Sequence, residues 1–522
     1  MGIPIFLSIV SGILLTLAFP ICDLSILAWV GLIPLFIAVQ EKSAPVAFFL
    51  GWTAGIVHFT TLLHWVTVSM TRYGNVSGLT SFLLLMLLAL YLGGYVGAFA
   101  GILRFLQTRY LREPMIMAPM IWILLEYLRT HLFSGFPWGL LGYSQYKNLT
   151  IIQISDITGV YGVSFIILLV NSATYLMIKW MKKRSNSLPL TYALVTVFVI
   201  SAVGVYGTAR QNIVKNAMRN NLRHTVHIIQ GNIEQDQKWD YSYLGETLRI
   251  YRELTVPAVK DPADLIVWPE TALPCYFMPD LVYRPLVQNI ADLVETPIIF
   301  GSLRYEKQGT DVNHCAYFNS AYLVSPDLET ISYYDKVHLV PFGEYIPCKA
   351  LMPFVNKLTE GIGDFSPGQR HTVFRIPQAT FGVLICYEVV FPDLSRTYSR
   401  SGLDFLVSLT NDAWFGQTGA PVQHFSMGVL RAVENRISLV RAANTGISGI
   451  IEPTGHIQAR TPLFVRTILK GMVPLYGRTT FYARYGDVLV GFCGIVLLMV
   501  IGFPFLGTKM SHPTIHRIRL CL

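Results

Sequence analysis

The sequence predicts two structural classes in one chain: a multi-pass α-helical membrane domain with eight transmembrane helices, and an α/β domain outside the membrane. Three observations carry this. The chain is 52% hydrophobic and 14% charged, with a mean hydropathy of +0.47, too apolar for an ordinary soluble protein. Its apolar residues are concentrated in blocks before residue 208 and after residue 484. The stretch between them alternates strand-like and helix-like patterns.

A bilayer core takes about 20 apolar residues per helix. Blocks of that kind lie at 4–20, 24–40, 46–66, 79–106, 115–133, 160–180, 188–207 and 485–505. The first lacks the basic leader of a signal peptide and is followed at once by another block, so it is expected to stay as an anchor. The expected domains are a seven-helix region at 1–207, an extramembrane domain at 208–484 with its core at 224–470, an eighth helix at 485–505 and a basic tail at 506–522.

An even number of spans puts both termini on one side, and charge decides which. With cytoplasmic termini, the short cytoplasmic segments carry Lys42, Arg104, Arg109, Arg112, Lys179, Lys182, Lys183, Arg184, Lys509, Arg517 and Arg519. The opposite short loops carry little beyond Arg72 and Lys147. This is a positive-inside pattern, and it sends residues 208–484 away from the cytoplasm. The net charge of +9 therefore reflects topology, and no nucleic-acid-binding motif accompanies it. Within the spans, Glu126 and Arg129 lie three apart on one helix face, as a mutual pair near the interface or a headgroup contact; His58 and His64 read as packing residues.

In the extramembrane part, 224–233, 263–271, 297–303, 320–326, 380–388 and 404–412 are short β-branched or aromatic runs ending in polar residues. Helical patterns at 243–258, 281–295 and 421–437 separate several of them. Such alternation predicts an α/β sheet with chemistry at strand ends. Three ends stand out: IVWPET carries Glu270, YYDKVHLVPFGEY carries Lys336 and Glu344, and VLICYE carries Cys386 and Glu388. A carboxylate that takes a thiol proton and an ammonium that stabilises thiolate and oxyanion suit acyl transfer through a thioester. Taken singly, the cysteine reads as a small core residue and the charges as solvated; their combination favours chemistry. The seven cysteines show neither CxxC nor a zinc spacing, so no disulfide framework or metal site is expected.

These motifs resemble the carbon-nitrogen hydrolase, or nitrilase, superfamily over roughly residues 224–470, where NDAWFG (411–416), Gln423 with His424, and RAANTGISGIIEPTG (441–455) continue the match. The eight-helix frame narrows the resemblance to that superfamily's membrane branch, the apolipoprotein N-acyltransferases. FSGFPWGLLGYSQY (133–146), DITGVYGVSF (156–165) and IIQGNIEQDQKW (228–239) support it. The resemblance implies a four-layer αββα sandwich in the periplasm, anchored in a bacterial inner membrane. It implies Glu270 as general base, Lys336 as oxyanion and thiolate stabiliser and Cys386 as nucleophile, with Trp239, Glu344, Tyr387 and Glu388 at further important positions. Glu344 would orient Lys336 or assist proton transfer, Glu388 would order the cysteine loop, and Trp239 and Tyr387 would position substrate; structural roles stay open for all four.

The implied reaction moves an acyl chain from a phospholipid, phosphatidylethanolamine at its sn-1 position, to the α-amino group of a diacylglyceryl-modified apolipoprotein. No cofactor or metal is expected, no nucleic acid takes part, and the chain is expected to be a monomer. The alternative is a membrane-anchored amidase or nitrilase with the same triad, in which water resolves the thioester; a further one is a transporter or scaffold with a dead hydrolase domain. Segment 345–368 is expected either as a lipid-touching arm or as an ordinary surface loop, and PCYFMPD (274–280) is a weaker candidate of the same kind.

Overall fold

Helix length separates the apolar segments into two groups. The computed structural model describes residues 1–111, 113–183, 188–307, 315–326, 331–347 and 364–507. Among them, Ala44–Leu62, Gly78–Arg109, Val160–Lys182 and Pro189–Arg219 are long and apolar enough to cross a bilayer, while Gly2–Leu17, Ser25–Val39 and Val488–Gly502 are apolar but shorter. The block at 24–40 is broken into a 3-10 turn, Ser25–Trp29, and a seven-residue helix, Ile33–Val39, with Pro34 in its first turn. Proline has no N–H to continue a preceding turn, so it starts a new helix. The block at 115–133 yields a 14-residue helix, Ala118–His131. The described residues thus hold four helices of spanning length where hydropathy marks eight segments.

Glu126 and Arg129 are both buried. Their hydrogen bonds go to the backbone of the turn that follows: Arg129 donates to Trp138 O (2.7 Å) and Gly139 O (3.2 Å), and Glu126 Oε1 accepts from Leu141 N (2.7 Å). Each charge therefore satisfies peptide groups that an apolar setting would leave costly. His58 is a packing residue, buried between Phe19 and Phe59 with Nδ1 3.0 Å from Thr16 Oγ1.

Chain contacts divide the molecule into two units: Met1–His64, Leu79–Ala209 and the chain from Tyr485 onward form one, and Trp65–Gly78 with Arg210–Arg484 form the other. The second contains two sheets. The first sheet has β1 (Arg223–Gln230), β2 (Leu265–Val267), β3 (Leu273–Tyr276), β4 (Ile298–Lys307), β5 (Cys315–Val324), β6 (Ile331–Asp335) and β13 (Thr467–Pro474), in the order β13-β1-β2-β4-β5-β6 with β3 beside β4. The second is β12-β11-β10-β9-β8-β7, from β7 (Val373–Ile376), β8 (Ala379–Ile385), β9 (Phe405–Thr410), β10 (Ser438–Ala443), β11 (Gly449–Ile451) and β12 (Ile457–Arg460). β1, β2 and β4 run parallel, as do β8, β9 and β10.

Period-two alternation assigns each side chain to a face. Ile228, Val267 and Ile299 point into a core shared with Phe381, Val383, Ile385, Val407, Leu409 and Val440 of the other sheet. Their neighbours Ile229, Ile266, Trp268, Ile298 and Phe300 point the other way, onto helices Leu244–Thr255 and Tyr283–Val294. Each fully buried aliphatic side chain contributes roughly 2 kcal/mol. Helices Pro392–Arg400 and Ala420–Asn435 cover the second sheet's outer face, where Gly382 admits the ring of Tyr398 and Gly428 admits Leu439. The result is the four-layer αββα sandwich.

The inserted segment Trp65–Gly78 belongs to this unit through aromatic contacts with the loop after β9: Trp65 meets Phe415 edge-on at 4.8 Å and Tyr73 meets Trp414 at 5.3 Å. PCYFMPD turns inward, with Phe277 fully buried against Phe300 and Tyr322, so it is core and not a lipid-touching arm. Residues 348–363 of the other candidate arm lie outside the described residues, as does the tail beyond 507.

One glycine fixes the height of Glu270. A Cβ on Gly301 would stand 2.3 Å from Thr271 N and 2.7 Å from Glu270 Cα, closer than van der Waals contact allows. Gly301→Ala is expected to destabilise the unit by about 1–3 kcal/mol, measured as a fall in Tm, because backbone on both sides must shift.

Candidate active site

Parallel strands deliver polar residues to their C-terminal ends. Glu270 follows β2 after Trp268 and Pro269, Lys336 follows β6, Cys386 follows β8 and Asn411 follows β9. Lys336 Nζ lies 2.9 Å from both carboxylate oxygens of Glu344 and 4.0 Å from Glu270 Oε1. Asn319, from β5, donates through Nδ2 to Glu270 Oε1 (2.8 Å) and Glu344 Oε1 (3.0 Å), tying the two carboxylates together. Asn411 N donates to Glu270 Oε2 at 2.8 Å, and Val340 N to Glu344 Oε2 at 2.8 Å. The bonded oxygens leave little freedom of rotation to either carboxylate.

Burial and charge oppose each other here. Burial works to lower the Lys336 ammonium, but the carboxylates of Glu344 and Glu270 outweigh it, so the lysine is held firmly protonated. The Cys386 thiol is pushed well up, by burial first and by the charge of Glu270 second; Lys336 opposes both without prevailing. The resting cysteine is therefore a thiol beside a carboxylate, not a preformed thiolate. Cys386 also adopts a left-handed backbone, φ 53°, which costs a non-glycine residue about 1 kcal/mol or more.

Glu388 is a fully buried tie between the lysine and cysteine loops. Its Oε1 accepts from Tyr334 OH (2.8 Å), Val337 N (2.7 Å) and His338 N (3.1 Å), and its Oε2 accepts from Ile385 N (2.7 Å). Burial pushes its carboxyl up to about 7, against the hydrogen bonds and the Lys336 charge. Tyr387 is half-buried, with its ring against Phe391 (5.1 Å) and His338 (6.0 Å). Trp239 is half-buried too, and its Nε1 has no hydrogen-bond partner among the described residues. The structure thus joins Glu270, Lys336 and Glu344 by direct polar contacts, brings Cys386 within their electrostatic reach and hangs its loop on Glu388, while Trp239 and Tyr387 make no hydrogen bond to this cluster.

Two participants were not singled out from the sequence. Asn319 is a buried amide inside a strand, and a polar residue in the run CAYFNSAYLV is the signal that marks it. Lys238, beside Trp239, is buried and donates to Glu270 O at 2.9 Å; burial lowers it to about 8, against the pull of Glu270 and Cys386. The site therefore holds a second ammonium.

Comparison with known proteins adds two family matches: residues 11–173 match the apolipoprotein N-acyltransferase N-terminal domain, and residues 208–479 match carbon-nitrogen hydrolase. An apolipoprotein N-acyltransferase of Geobacter metallireducens is 42% identical over 97% of this chain and 96% of its own length. One from Pasteurella multocida is 30% identical over 95% of each. Among solved structures, the Saccharomyces cerevisiae nitrilase-superfamily member Nit3 aligns with a TM-score of 0.38 and 19% identity, over 48% of this chain and 90% of its own.

Replacing Glu388 with Gln presents an NH2 group to a site made of donors. Glu388→Gln is expected to cost about 2–4 kcal/mol of stability, visible in a thermal melt. The raised thiol has a pH signature as well. Alkylation of Cys386 by iodoacetamide, followed by peptide mapping, is expected to keep accelerating to pH 10, beyond the level where an ordinary thiol of pKa about 8.5 saturates.

Proposed function

The chain belongs to the apolipoprotein N-acyltransferase family, and from that premise we propose that it transfers a fatty acyl chain from a membrane phospholipid, through a thioester on Cys386, to the α-amino group of the diacylglyceryl-cysteine that begins an apolipoprotein. The observation that carries this reading is the carboxylate–ammonium cluster of Glu270, Glu344 and Lys336 acting on one thiol, in a chain whose membrane part matches the same family.

In the first half-reaction Glu270 takes the thiol proton as Sγ attacks the ester carbonyl of the donor, phosphatidylethanolamine at sn-1. The Lys336 ammonium stabilises the oxyanion that develops, and Glu344, bonded to it through both oxygens, fixes where the ammonium points. The tetrahedral intermediate expels the lysophospholipid alkoxide, which recovers the proton from Glu270. In the second half-reaction the amine attacks the thioester, Glu270 takes the amine proton, and the proton passes to the departing thiolate. One ester bond is exchanged for one amide, so no nucleotide is consumed. Trp239 and Tyr387 would face the substrates, and Glu388 would hold the cysteine loop through Ile385 N.

Both substrates are lipids, which accounts for the membrane part. The proposed arrangement is eight spans in a bacterial inner membrane, both termini cytoplasmic, residues 208–484 periplasmic, and one copy of the chain per active unit. The excess of lysine and arginine in the short cytoplasmic segments supports it.

The test is intact mass of the purified protein after incubation with phosphatidylethanolamine, with peptide mapping and hydroxylamine treatment. The expected result is a labile acyl-sized adduct on Cys386 that disappears when apolipoprotein peptide is added and never forms in Cys386→Ala. Hydrolysis of short amides without any adduct would overturn the reading. Glu270→Gln and Lys336→Met are each expected to slow adduct formation by about 10² to 10⁴, measured by the same mass shift over time.

A further inference from the structure

The nucleophile's backbone has a buried support that the mechanism above does not use. His424, on helix Ala420–Asn435, is buried with Nε2 3.2 Å from the carbonyl oxygen of Cys386. Its other ring nitrogen, Nδ1, lies 2.9 Å from Arg441 Nη2 and 3.0 Å from Asp412 Oδ1. Arg441 Nη2 also donates to Asp412 Oδ2 at 2.8 Å, and Thr410 Oγ1 donates to Asp412 Oδ1 at 2.9 Å. Arg441 and Asp412 are themselves fully buried.

The Cys386 carbonyl can only accept, so Nε2 carries the proton toward it; Nδ1 faces both a donor, Arg441 Nη2, and an acceptor, Asp412 Oδ1. Burial, and then the Arg441 charge, hold the imidazole below its ordinary range, against the pull of Asp412. The ring is thus held at both ends. What it holds is the peptide group of a residue in the left-handed region, φ 53°, where a side chain is strained unless its surroundings enforce the conformation.

We propose that His424 is a positioning residue for the nucleophile: its Nε2–H, fixed by Arg441 and Asp412, grips the Cys386 carbonyl and keeps the strained turn that aims the thiol toward Glu270 and Lys336. This deepens the acyltransferase reading and rests on it for its activity test, but the hold itself can be read without substrate.

The experiment compares three full-length variants with the wild type, after a thermal melt shows each folded. In His424→Gln the side-chain amide reaches the place of Nε2 and keeps a donor there. His424→Asn reaches only the place of Nδ1, and His424→Met has the length but no donor. Iodoacetamide alkylation of Cys386 at pH 9 is expected to slow about tenfold in the Asn and Met variants and to stay within about threefold in Gln. The kcat for acyl transfer is expected to fall about a hundredfold in Asn and Met, with KM within about twofold, because a small misplacement of a reacting atom acts on the chemical step. Gln activity as low as Asn, or wild-type alkylation in the Asn or Met variant, would overturn the proposal. The Met variant keeps the test open should Asn disturb the helix. A wild-type protein that never forms an acyl adduct would count against the acyltransferase reading alone, since the alkylation comparison needs no lipid.

Discussion

The carboxylate of Glu388 is the constraint on which the site depends. It is fully buried between the two sheets and gathers four donors, two from the turn that carries Lys336, one from the end of β8 just before Cys386, and the hydroxyl of Tyr334. Three backbone N–H groups and a hydroxyl surround it, which favours the ionised carboxylate. Burial pushes the other way, raising the carboxyl to about 7, so the tie sits in tension between desolvation and hydrogen bonding. The balance can be sustained because the peptide groups it satisfies would otherwise be buried and unpaired themselves.

Around that tie the site works by opposed charges. Glu270, Glu344 and Glu388 act on Lys336, and Glu270 acts also on Lys238. In such a place the lysine next to two carboxylates keeps its proton, and the thiol next to Glu270 keeps its own. A resting thiol resists alkylation and oxidation, yet it stands within reach of the Glu270 carboxylate, the base of the proposed mechanism. Asn319 divides its amide between Glu270 and Glu344, so the two carboxylates approach one another through shared donors instead of repelling freely.

The membrane part solves the same problem with the same means. Glu126 and Arg129 are charges in an apolar setting, and each binds backbone of the 136–141 turn, where irregular chain inside a helical bundle would otherwise leave its peptide groups unsatisfied. A sequence shows the two charges three residues apart and suggests a pair; the backbone need that separates them becomes visible only when the turn is folded back.

Local pattern made several things legible. Segregated hydropathy placed divisions near residues 208 and 484, close to the boundaries of the two compact units, β-branched and aromatic runs marked six of the thirteen strands among the described residues, and strand ends pointed to Glu270, Lys336, Glu344, Cys386 and Glu388, because a charge or thiol closing a buried strand is conspicuous against its neighbours. The rest depends on residues far apart in the chain. Asn319 reaches Glu270 across 49 positions, His424 reaches Cys386 across 38, and Ser69 Oγ bonds Trp414 O across 345, which draws Trp65–Gly78 into the α/β unit. Helix length likewise depended on where Pro34 and Pro119 start new helices, which hydropathy does not register. The sequence by itself determined which groups are present and which strand end carries each, since both follow from short-range chemistry. Only the tertiary structure decided which of them meet, how Cys386 is held and protonated, and what supports it, because those follow from two sheets closing over one buried set of charges.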